Sequence, residues 1–349
     1  MVIRKRTSLT LLLALVVFVS QFGCSGGSRR NGLFSIAQNR KVGFIDRKGQ
    51  IVITPQFENA GDFSEGLAVV GVGEKFGFIN AKGEFVINPQ FDSASAFSNG
   101  LASVWLNQKS GFIDKTGKMV IDPQFDAGQG FVEGLCAVAI NQKWGFIDKT
   151  GKYVVNAQFQ DARPFLDGLA AVKNNDKYGF IDKTGELIIP HQFDNVGIWY
   201  SGSTEELSSW PVAVQVGGKW GFIDTTGKYV VNPRFEDANT FREGLASVKE
   251  NGKYGFVDTA GKFIINPQFD GASYFSEGLA PVVVGGKSGF IDKTGKYVIN
   301  PQYEGAEYFI DGLSSVTLKG KDDKYMSGYI DQTGRFIFGP LQIEVSEEE

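Results

Sequence analysis

The stretch from Lys143 to Phe159, KWGFIDKTGKYVVNAQF, holds two apolar and aromatic runs separated by Asp148-Lys149-Thr150-Gly151. Short runs of Trp, Phe, Ile, Tyr and Val closed by turn residues read as strands. An Asp opening a type I turn, with Gly at the position of positive φ, joins two such strands as a bulged hairpin. The same phrase returns along the chain. Its Gly recurs at Gly43, Gly77, Gly111, Gly145, Gly179, Gly221, Gly255, Gly289 and Gly328, at spacings of 34, 34, 34, 34, 42, 34, 34 and 39. Nine units therefore follow one another, starting near residues 33, 67, 101, 135, 169, 211, 245, 279 and 313. Such a period overrides the two-domain expectation of a 349-residue chain.

Within the seventh unit, Leu245 to Lys249, Tyr254 to Asp258 and Lys262 to Asn266 are the expected strands. Asn251-Gly252 between the first two fits a type I′ turn, which needs positive φ at both central residues. Asn266-Pro267 ends the third, because Pro cannot donate to a ladder. The remainder, Gln268 to Gly278, is a connector whose rings Phe269 and Phe275 pin it to a neighbouring sheet. Aromatics at 13%, 45 Gly and only three Met agree with strands rather than helices. The fold class is all-β, built of three-stranded meanders that cannot bury their faces alone and must stack. An open, twisted solenoid is the favoured arrangement. Thirty-four residues are few for a four-stranded blade, nine blades exceed the usual range, and no spare strand remains to close a ring. A closed, propeller-like ring is the alternative.

KWGFIDKTG at 143–151 and KWGFIDTTG at 219–227 resemble the WG-repeat, or KWG-repeat, family of bacterial proteins. The resemblance covers all nine units. It implies tandem β-rich units and no general assigned activity. Trp itself stands at the family position only as Trp144 and Trp220; other units have Val42, Phe76, Ser110 and Tyr178 there, so the ring serves no shared chemistry.

Ahead of the array, Arg4, Lys5 and Arg6 precede an apolar run from Leu9 to Val19, the form of a secretory signal peptide over residues 1–23. Gly23-Cys24 resembles the end of a bacterial lipobox, although Gln21 stands where an aliphatic residue is usual. Cys24 is the expected lipidation site, and residues 24–32 a Gly/Ser/Arg tether. The resemblance implies a protein anchored at the cell envelope by acyl chains alone, with the leaflet left open. Cleavage leaves 32 basic and 39 acidic residues, a formal charge of about −7, which argues against nucleic acid and against charge-driven membrane binding. The array runs over residues 33–346, and Glu347 to Glu349 form an acidic tail.

Few residues are candidates for chemistry. The recurrent Asp46, Asp114, Asp148, Asp182, Asp224, Asp258, Asp292 and Asp331 each open a turn without a second acid at ligand spacing, so they read as turn residues rather than a calcium ladder. His191 is the sole histidine and takes the place of a strand-end Pro; Cys136 takes the place of a small apolar residue. No nucleotide, metal or nucleophile motif occurs, so neither catalysis, cofactor nor metal is expected. The rhythm breaks most at the fifth connector, where eight extra residues bring Trp199, Tyr200, Glu205, Glu206 and Trp210 together as candidate binding residues. The alternative is that Trp199 replaces the connector Phe and the rest is a tolerated loop. The expected role is a protein-interaction scaffold for an unidentified protein partner, with a carbohydrate or cell-wall module as the alternative and glycan or peptidoglycan as its ligand.

Overall fold

A computed structural model describes residues 32–197, 210–320 and 323–342. In the fourth unit the strands run Leu135–Ile140, Lys143–Asp148 and Tyr153–Phe159, paired antiparallel in sequence order. Asn141 and Gln142, between the first two, have φ of 50° and 62°, the type I′ geometry; Asn251 and Gly252 repeat it at 54° and 77°. In the next turn the Asp148 carboxylate accepts the N–H groups of Thr150 at 2.9 Å and Lys152 at 3.1 Å, and the Thr150 hydroxyl at 2.6 Å. Gly151, at φ 87°, closes that turn on the Asp148 carbonyl. The register then slips between Trp144 and Ile147. Here the third strand crosses so closely over Gly145 that a Cβ there would lie 2.6 Å from the Val155 oxygen and the Ala157 nitrogen. This close approach explains why every unit keeps that Gly while its neighbour varies.

The three-stranded unit is not the whole blade. Each connector contributes a short strand to the unit that follows, two residues long as in Ala127–Gly128 against Val138 and Ala139, except for the six-residue Asp161–Leu166. Among the described residues there are nine sheets, eight of four strands and the first of three. Thirty-four residues suffice because the fourth strand is so short. The rest of the connector returns its ring to the preceding blade: Phe165 packs on Phe146 with centroids 4.8 Å apart, Phe97 on Phe78 at 4.9 Å and Phe309 on Phe290 at 4.8 Å. The core is therefore a series of interblade layers. One of them gathers Phe146, Phe159 and Phe165 from one side and Val172 and Ile181 from the other.

The expectation of an open solenoid is corrected: the array closes into a nine-bladed β-propeller, the arrangement first set aside. At internal boundaries a turn Lys reaches the connector-tip acid of the preceding blade, as Lys115 does Glu65 (3.0 Å), Lys183 does Glu133 (2.9 Å) and Lys293 does Glu243 (3.0 Å). The first unit's Arg47 makes the same pair with Asp311 of the ninth. Gly83 packs on Ile53 of the preceding third strand, and Gly49 of the first unit packs on Ile337 of the last. The Tyr329 hydroxyl donates to the Ser35 carbonyl at 2.8 Å, and its ring meets Phe34 at 5.4 Å. Ring closure therefore needs no exchanged strand among the described residues: the seam carries the same ion pair and glycine contact as these internal boundaries.

Candidate functional site

Most recurring charges are committed to the ring itself. Where most third strands end, an acid joins two blades. Asp92 accepts from Lys75 of its own unit at 2.5 Å and from the Asn107 N–H of the next unit at 2.8 Å; Asp126 does the same with Lys109 (2.6 Å) and Asn141 (2.7 Å). On the opposite rim the Glu65 carboxylate accepts the Gly100 N–H of the next connector tip at 3.1 Å, as Glu243 does that of Gly278. The Lys75 bond, then the Asn107 N–H, hold the Asp92 carboxyl below its ordinary value; in Asp148 the Thr150 hydroxyl has the largest such effect. These groups are exposed and add mainly direction, since exposed pairs contribute little net stability. Where Tyr fills the family position, an Asp faces it: Tyr178 donates to Asp161 at 2.5 Å and Tyr254 to Asp237 at 2.6 Å.

The two isolated candidates are packed. Cys136 is fully buried, donates toward the Gln129 carbonyl at 3.1 Å, and burial pushes its thiol far above the ordinary range. His191 lies in the third strand Leu187–Phe193, half-buried against Gly179. Among the described residues no three His, Cys, Asp or Glu side chains converge as a metal site.

Of the candidate binding residues, Trp199, Tyr200, Glu205 and Glu206, with Cys24, lie outside the described residues. Trp210 lies within them. Its ring sits 5.6 Å from Phe180, the relation every connector Phe makes to the preceding second strand, and its indole N–H donates to the Leu166 carbonyl at 3.3 Å. Trp210 thus fills the connector ring slot in the fifth interval. On the other side, the Gly197 N–H still donates to Ala213 at 2.8 Å, as in an ordinary connector. Both ends of residues 198–209 are therefore fixed to the ring.

A second departure was not singled out in the sequence. On three successive connectors Arg242 lies over Tyr274 (4.0 Å) and reaches Tyr308 (5.8 Å), while the two rings stand 4.6 Å apart and tilted by 49°. Elsewhere the residue preceding the connector ring is never aromatic, as at Ala96 and Gly130, so the blade does not require a Tyr there. That local excess of aromatic and basic character was the available signal. A guanidinium held flat on a ring is oriented at little entropic cost.

The family described as WG containing repeat matches residues 43–76, 76–109, 111–144, 144–178, 178–220, 220–254, 254–287 and 289–321. No curated protein matches the chain. Among solved structures, the chain is similar to PorZ, described as a surface component of the type-IX secretion system of Porphyromonas gingivalis, at 8% identity and a TM-score of 0.34. It is also similar, at 10% identity and a TM-score of 0.29, to an extracellular domain assigned to a hybrid two component system of B. thetaiotaomicron. Each match covers 90% of this chain, which spans only 51% and 57% of those two chains. Scores this low do not bear on role.

Proposed function

The chain belongs to the WG-repeat family, and from that premise we propose that it is an exported, lipid-anchored, non-catalytic scaffold that holds a protein partner at the cell envelope. One observation carries this reading: residues 198–209 leave and rejoin a closed ring at two fixed points, Gly197 and Trp210, where other connectors simply turn. An insertion presented by a rigid repeat array is the usual place for recognition. Trp199, Tyr200, Glu205 and Glu206 supply rings and acids suited to a partner with apolar and basic groups. Cys24 and the run before it would provide anchor and address. The recurring Asp and Lys side chains are occupied in turns and interblade pairs, which leaves the insertion as the place where chemistry differs.

The test is cross-linking in the native envelope followed by mass spectrometry, comparing the natural chain with Tyr200→Ala/Glu205→Ala/Glu206→Ala. A partner cross-linked to the natural chain and lost from an equally stable variant supports the scaffold. An unchanged set of cross-links contradicts it. The alternative, a carbohydrate or cell-wall module, is favoured by the Arg242, Tyr274 and Tyr308 stack, because sugars pack on rings beside fixed hydrogen-bond donors. Tyr308→Ala abolishing retention on peptidoglycan, with the insertion variant retained, would favour that reading instead.

A further inference from the structure

The first blade is the one described sheet of three strands. Its first strand, Leu33–Gln38, pairs with Lys41–Asp46 on one side, and on the other it lacks the short strand that every other blade receives from its connector. In an uninterrupted connector the short strand begins eight residues before the next first strand, as Ser93 does before Leu101 and Ala127 before Leu135. Its second residue is small, as at Ala94, Gly128 and Ala162, and the connector tip ends on a Gly of positive φ, Gly100 at 85° and Gly134 at 86°. Counting back from Leu33 gives the same pattern. Ser25 and Gly26 fall at the short strand, Arg29 at the connector ring and Asn31-Gly32 at the tip, with Gly32 already at φ 67°.

The surroundings of this slot match such a connector. At internal boundaries the tip acid accepts the N–H of the next tip glycine, as Glu65 does that of Gly100 at 3.1 Å, while a turn Lys takes the same carboxylate. At the seam Asp311 holds that place: one oxygen takes Arg47, and the other, Oδ2, is buried with no hydrogen-bond partner among the described residues. Gly32 is the tip glycine that this relation calls for. A connector ring is not needed here, because Phe34, where other units have a small residue such as Ala102 or Ala246, already packs on Tyr329 at 5.4 Å. Arg at position 29 suits the flanking connectors instead, which present Glu307 and Asp311 on one side and the buried Asp62 on the other.

The C-terminal continuation fits this slot less well. In the ninth blade Tyr329 pairs with Phe338 and Ser327 with Leu341, one residue fewer along the third strand than Phe256 with Ile265 and Tyr254 with Phe269 in the seventh. Followed onward, that register brings Glu344 to the small-residue position of the short strand, where the N-terminal side brings Gly26.

We propose that residues 25–32 dock as the missing connector, with Ser25 and Gly26 paired antiparallel to Ala37 and Ile36, and with Arg29 and Arg30 between the acids of the two flanking connectors. The pairing repeats that of Ser93 with Trp105 and Ala94 with Val104. The segment leading to the anchor then completes the first blade rather than hanging as a free tether. Residue 24 falls where Asp92 and Asp126 stand, at the rim of the first turns. Resting on the acylation of Cys24 proposed above, the acyl chains leave the ring from that rim, opposite the connector tips.

Disulfide formation in the purified full chain, in non-ionic detergent, tests the docking. Ser25→Cys/Ala37→Cys sets thiols at the proposed cross-strand pair, and Ala37→Cys/Ile343→Cys sets them at the pair the C-terminal segment would make; Cys136 is buried and does not compete. Both variants also carry Cys24→Ser, so the outcome depends neither on acylation nor on a partner, and its failure is distinct from failure of the scaffold. On mild oxidation the 25–37 bond, identified by peptide mass spectrometry, should form at least about tenfold faster than the 37–343 bond, because only thiols held at the right spacing close without backbone movement. Arg29→Glu/Arg30→Glu should slow it to the rate of the 37–343 pair. A 37–343 bond that forms as fast or faster, or a 25–37 rate untouched by the charge reversal, would each overturn the proposal.

Discussion

If Trp210 is the fifth interval's connector ring, its substitution has a graded effect on stability that a ligand-contacting Trp would not have. The side chain packs on Phe180 at 5.6 Å and donates one hydrogen bond, to the Leu166 carbonyl at 3.3 Å, while remaining partly exposed. Trp→Ala in a full core costs about 3–5 kcal/mol; partial exposure places Trp210→Ala near the lower figure, about 3 kcal/mol. Trp210→Phe keeps a ring in the slot and loses chiefly the indole bond, a net cost of about 1 kcal/mol. Guanidinium unfolding followed by far-UV circular dichroism measures both, with Phe165→Ala as the reference for an ordinary connector ring, 1% exposed and 4.8 Å from Phe146. The order expected is natural chain, Trp210→Phe, Trp210→Ala, with Phe165→Ala lowest. Refutation would be a Trp210→Ala variant as stable as the natural chain that nonetheless loses its envelope cross-links. Trp210 would then belong to the contact surface and not to the blade.

Other outcomes follow from the same geometry. Gly145→Ala drives a methyl to 2.6 Å from the third-strand backbone and should cost about 1–3 kcal/mol, measurable as a lower unfolding midpoint; a neutral result would mean that the strands cross farther apart. Cys136, buried and with its thiol displaced upward, should react with a thiol reagent only after denaturant is added; rapid labelling of the native chain would contradict its packing. Asp114, Asp148, Asp182, Asp224 and Asp292 titrate below the ordinary 3.8, chiefly through their Thr hydroxyl bonds. Their folded values are depressed, so their contribution is complete above 3.8 and is lost as pH falls through the lower folded values. Melting temperature should therefore be insensitive to these groups from neutral pH down to mild acid and fall modestly below it, with a shallower fall in Asp148→Asn.

Much of this architecture was legible because its signals are local. The I′ turn at Asn251-Gly252 and the Asp148 turn depend on a few adjacent residues, and the sequence states both. The ring was not legible, because closure depends on the angle accumulated over nine boundaries, and no single unit encodes that angle. The connector misled for a related reason: Ala127–Gly128 is too short to show strand periodicity, yet it supplies the fourth strand that the residue count had seemed to exclude. The Trp210 slot was masked by the insertion, which displaced the ring from its usual spacing and made Trp199 the nearer match. Arg242, Tyr274 and Tyr308 escaped notice since each alone is an ordinary substitution, and only stacking of successive connectors brings them together.

Closure of the array is tested most directly by a distance across the seam. Spin labels at positions 47 and 311, measured by double electron–electron resonance, can be set against labels at 115 and 65, which hold the same relation across an internal boundary. A closed nine-bladed ring predicts that the two distance distributions coincide. A seam pair far longer than the internal pair would contradict the ring and return the array to an open solenoid.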